Sequence, residues 1–91
     1  MAAATAALGR DRVGEAKAIM ASEDMGLFTL DGKIQVVMYW LGAADAGKLD
    51  GSRETDLPLP SLHSALFAPV YAPAITTGAT AMTAVAMDLM K

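Results

Sequence analysis

A mainly α chain of two to three helices, closed by a long uncharged C-terminal segment, is the fold class that this sequence predicts. Three observations carry it. Hydrophobic residues make up 54% of the 91 positions but aromatics only 5%, so the apolar side chains are mostly Ala, Met, Leu and Val. Of the 17 charged residues, 15 fall within 10–56, and residues 57–87 contain no Asp, Glu, Lys or Arg. Within that uncharged run, apolar residues recur at helical spacing. Small side chains each bury little area, at about 25 cal/mol per Å². A short chain with this alphabet therefore gains stability chiefly by close packing against neighbouring elements.

The first element expected is a helix over 10–22, with Val13, Ala16 and Met20 along one stripe. Gly14 weakens it by about 1 kcal/mol relative to Ala. Residues 22–24 and Gly26 then end it in a loop. The stretch LFTLDGKIQVVMYWLGAADAG, 27–47, reads two ways. Asp31-Gly32 suits a two-residue hairpin turn, which would give a short β-hairpin at 27–37. Alternatively Asp31 caps a helix in which Ile34, Val37, Met38 and Leu41 follow the i, i+3, i+4, i+7 pattern. Strict alternation is missing from residues 33–40, so the helix is the preferred form.

From Gly42 the residues GAADAGKLDGSRETDLPLP read as a loop, with several Gly and Asp followed by Pro58 and Pro60. A short apolar turn or helix is expected at 61–68 and a break across Pro69 and Pro73. A helix follows over 74–90, with Ile75, Ala79, Met82, Ala86 and Leu89 on one face. Lys91 then lies at the favourable end of the helix dipole. The chain divides near Asp56 into a mixed-charge helical half with an acidic loop (1–56) and an uncharged half (57–91).

The uncharged half is long enough for a transmembrane helix once residues before 74 are added to it. Small residues recur four apart, as in Ala74 with Gly78, a spacing that lets helices approach closely in a bilayer. A membrane location, organellar or bacterial, is the resulting expectation, with a protein-buried helix as the competing one. The Ala-rich, Arg-bearing start lacks the charged n-region of a secretory signal, and Asp11 and Glu15 argue against a transit peptide.

Catalysis is poorly supplied. His63, between Ser61 and Ser64 in the stretch SLHS, is the sole imidazole and has no orienting acid beside it. In a pigment or haem complex it would be the best axial ligand, and otherwise it is an interface histidine. Asp45, Asp50, Glu54 and Asp56 do not follow calcium-loop spacing, and the scattered glycines form no phosphate cradle. With a net charge of −3 and no basic cluster, nucleic acid is excluded as a partner.

The motif DGKIQVVMYWLG resembles the polar-Gly-basic-apolar helix starts of light-harvesting chlorophyll proteins. The resemblance covers about a dozen residues and implies a pigment-bearing membrane helix. It departs at Phe28, where that family carries the Glu whose carboxylate pairs with Arg and ligates pigment, so no ligand role is transferred.

The sequence thus predicts no enzyme. It predicts a small structural or accessory subunit of a larger membrane-embedded complex, energy-transducing or photosynthetic, with other protein subunits and the bilayer as partners. Chlorophyll or lipid would be its cofactor. Interface contacts would come from Tyr39, Trp40, Ala74, Gly78 and Met82. The alternative is a soluble self-assembling coat or filament protein, in which the same faces bury against identical subunits.

Overall fold

The computed structural model describes residues 1–19 and 24–91, and it is mainly helical as expected. The described residues form three α-helices, α1 (Ala2–Leu8), α2 (Ala46–Thr55) and α3 (Tyr71–Leu89), with 3-10 turns at Arg10–Arg12 and Asp24–Thr29 and irregular segments between. No strand occurs among the described residues.

Helix α3 organises the rest. It starts three residues before the expected 74, because Pro73 falls within the first turn, where a backbone N–H has no intrahelical partner to lose. The first ladder bond runs from the Ala74 N–H to the Val70 carbonyl at 3.2 Å. At the other end the Met90 N–H donates to the Ala86 carbonyl, and Lys91 Nζ lies 2.6 Å from an Asp88 carboxylate oxygen. The covered face consists of Ala74, Thr77, Gly78, Ala81, Ala84 and Val85, a stripe at helical spacing made almost wholly of small residues.

Helix α1 packs along this face of α3. Sequence reasoning passed over α1, although AAATAAL is close to the strongest possible helix-forming composition. Seven residues do not hold a helix alone in water, so α1 depends on α3. Gly9 stops it in a positive-φ conformation (φ 93°). Within its described part, 10–19, the helix expected over 10–22 is not formed: beyond the 3-10 turn at Arg10–Arg12, residues 13–19 are irregular, in keeping with the entropy cost of Gly14. Met20 and Ser22 lie outside the described residues.

The stretch 27–47 is neither of its two expected forms. Leu30, Asp31 and Gly32 all have positive φ (48°, 58° and 82°). This is the left-handed geometry that an Asp-Gly turn demands, and it removes Asp31 from the β-region backbone of an N-cap. The chain before the turn is a 3-10 coil, however, so no first strand exists. Thr29 holds that coil by donating its hydroxyl to the Gly26 carbonyl at 2.7 Å, while the Ile34 N–H reaches the Thr29 carbonyl at 2.8 Å. Residues 35–45 then run without regular structure.

The loop expected after Gly42 contains α2 instead. Asp45 caps it, accepting from the Lys48 N–H at 3.0 Å, and Asp56 closes it in the left-handed region (φ 56°, ψ 24°). Local caps outweigh two helix-interior glycines here. Residues 61–67 form successive turns, with the Ser64 N–H on the Ser61 carbonyl and the Phe67 N–H on the Ser64 carbonyl.

The membrane expectation is overturned. No helix among the described residues is long and apolar enough to cross a membrane. The residues needed to lengthen α3 are spent in the turns before Val70, and α3 itself, about 28 Å at 1.5 Å per residue, is diluted by Ala, Thr and Gly. Without a span, the transmembrane helix and the membrane location expected from it fall together.

Candidate interaction surface

Three contacts fasten the preceding chain to α3 and its N-cap. The Val70 N–H donates to the Ala43 carbonyl at 2.8 Å. A side-chain Nη2 of Arg12 lies 3.5 Å from the Thr77 hydroxyl. Leu41 leans on Gly78 so closely that a Cβ there would sit 3.0 Å from Leu41 Cδ2. The absence of a side chain at 78 is thus what lets residues 41–43 approach the helix.

Even so, little is buried. Ala81, 6% exposed, is the one buried hydrophobic residue among the described residues. The accessible surface is 8091 Å², against about 5,000 Å² for a compact protein of this mass. The radius of gyration, 15.6 Å, likewise exceeds the about 12 Å of a compact 91-residue domain.

The expected interface residues fall into separate places. Ala74 and Gly78 lie on the covered face of α3, and Gly78 is already met by Leu41 of the same chain. Met82 lies about a quarter turn round the helix from that face, where Ile75 (67% exposed), Met82 and Leu89 form a flanking stripe open to solvent. Tyr39 and Trp40 are both about half exposed, within the irregular segment. His63 is exposed in the turns before α3 and makes no hydrogen bond among the described residues. Its neighbour Ser64 is engaged locally, accepting from the Leu66 N–H at 3.1 Å.

Three of the acidic residues within 45–56 are likewise engaged in local structure. Asp45 and Asp56 end α2, and Asp50 lies 3.9 Å from Arg53. No group of His, Asp and Glu among the described residues could hold a metal ion.

Two surfaces stand out, the first not anticipated from the sequence and the second around the expected interface residues Tyr39 and Trp40. One is a shallow apolar groove of about 450 Å³ between α1 and α3, with Ala7 on one side and Ala79, Thr83, Ala84 and Met87 on the other. Only the helix-forming bias of the N-terminal alanines could have pointed to it. The second is the backbone of residues 35–42. Among the described residues, no hydrogen bond engages any of these eight, and Val37 is 80% exposed. Unpaired backbone beside β-branched and aromatic side chains is a surface that seeks a partner. Compared with known proteins, the chain matches no family model, and it pairs with neither a curated protein nor a solved structure.

Proposed function

We propose that this chain is a non-enzymatic structural subunit that completes its hydrophobic core against other protein chains. The carrying observation is that a single small side chain, Ala81, is buried among the described residues, beneath a surface about 3,000 Å² larger than a compact fold of this mass exposes. Stable interfaces remove about 800 Å² from each partner. The excess is therefore of the size that one or more such interfaces would absorb.

Chemistry supports the same reading. The exposed apolar side chains are aliphatic, thioether or aromatic, and they line a helix face, a groove and an unpaired backbone segment. Asp45 and Asp56 sit at the ends of α2 and Asp88 pairs with Lys91 at the end of α3, an arrangement that suits a scaffold rather than a reaction centre. The membrane part of the sequence expectation has no place in this proposal.

Sedimentation analysis combined with calorimetry tests it. The expected result is a broad, weakly cooperative transition at concentrations where the chain is monomeric, sharpening and moving upward in temperature as it associates. A monomer that melts in one sharp, concentration-independent transition would overturn the proposal.

A further inference from the structure

We infer that residues 36–42 pair with the same residues of a second copy, as antiparallel strands related by a two-fold axis through Tyr39. This deepens the subunit reading above and rests on it.

The first argument is the backbone. Residues 35–42 have no hydrogen-bonded N–H or C=O among the described residues, and none has a positive φ. They contain no Pro and no charge, and Val36, Val37, Tyr39 and Trp40 are strand-favouring types. Such a segment is competent to form a ladder, and the chain offers it no partner of its own.

The second argument is charge, which selects the partner and the register. The segment is bracketed by Lys33 and Asp45, neither of which has an ion pair among the described residues. Antiparallel pairing of two copies about Tyr39 sets Lys33 of each opposite Asp45 of the other. The same register faces Val37 with Leu41 and Met38 with Trp40, so every cross-strand pair between the charged ends is uncharged, and the thioether meets the indole. A register shifted so that 31 faces 45 would oppose two carboxylates. Asp45 keeps its cap, because only Oδ1 accepts from Lys48 and the second oxygen is free for Lys33.

An isolated two-stranded ribbon is marginal. This one would rest on α3, onto which Leu41 and Ala43 already fasten the segment.

The chain has no cysteine, so single introduced cysteines report the register cleanly. Residues directly opposite in an antiparallel pair have Cα atoms about 4.5–5.5 Å apart, within disulfide reach. Tyr39→Cys is expected to cross-link to itself under mild oxidation. Val37→Cys is not, since its copies lie about 14 Å apart along the ribbon, but it should link to Leu41→Cys when the two variants are mixed. Lys33→Glu, without any cysteine, should weaken association by about three- to tenfold.

Association with no self-linkage at position 39 would overturn this pairing while leaving the subunit proposal standing. Equal self-linkage at 37, 39 and 41 would mean parallel stacking and would overturn it too. A cooperative, concentration-independent monomer would overturn both.

Discussion

Replacing Gly78 tests how α3 holds the rest of the chain, because two substitutions there should act in opposite directions. Gly78→Ala removes a helix-interior glycine, a gain of about 0.8–1.0 kcal/mol. Its Cβ would lie 3.0 Å from Leu41 Cδ2, so Leu41 must turn by a few tenths of an ångström. Leu41 is 41% exposed and can do so at about 0.5 kcal/mol of rotamer strain, leaving a net gain of about 0.4 kcal/mol. Gly78→Leu brings a similar propensity gain but fills the space that Leu41 occupies. Leu41 is about three-fifths covered, so displacing it forfeits about 1–2 kcal/mol of burial. The hydrogen bond between Val70 and Ala43 loosens with it, and the variant ends about 1 kcal/mol less stable. Helical circular dichroism during urea unfolding, with amide exchange along α3, reads both effects. The decisive measurement is the double variant Leu41→Ala/Gly78→Leu, in which the new side chain has room. Its loss should fall short of the sum of the single losses by about 1 kcal/mol or more. Additivity within about 0.3 kcal/mol would refute the contact between Leu41 and Gly78 as the tie between the middle segment and α3.

The ends of α2 give two further predictions. Asp45→Ala removes the bond from the Lys48 N–H and should cost α2 about 1 kcal/mol. No residue of α2 is buried, so the loss should appear as local fraying, seen as faster amide exchange confined to α2. Asp56→Gly relieves a left-handed residue at the C-cap and should slow exchange in the last turn by a factor reflecting about 0.5–1 kcal/mol. Asp56→Val should do the reverse.

What was legible in the sequence was the class of the fold and its longest helix. The uncharged run with apolar residues at helical spacing carried α3, and only its start was displaced, by the tolerance of a first turn for Pro73. The interior of the chain was less legible because its signals compete. In residues 45–56 two glycines argue for a loop while Asp45 and Asp56 supply both caps, and the caps prevailed. In residues 27–47 the Asp-Gly turn formed with its expected backbone signs, yet neither flanking arm found the partner that a hairpin or a packed helix requires.

The same competition explains why the interaction surface was read only in part. Periodicity grouped Ile75, Met82 and Leu89 correctly on one face but could not say whether that face turns inward. Bulk would suggest that it does. The structure turns the small face inward, because α1 and Leu41 can approach α3 closely only where Gly78, Ala81 and Ala84 leave room. A chain that buries its small residues and exposes its large ones has inverted the usual order of a monomeric core. That inversion gains stability only when the large side chains are covered by something else. The deficit in buried area and the unpaired backbone of residues 35–42 are therefore two aspects of one condition. Both are removed by association, and the ladder about Tyr39 would satisfy the backbone while leaving the α3 stripe to build the assembly further.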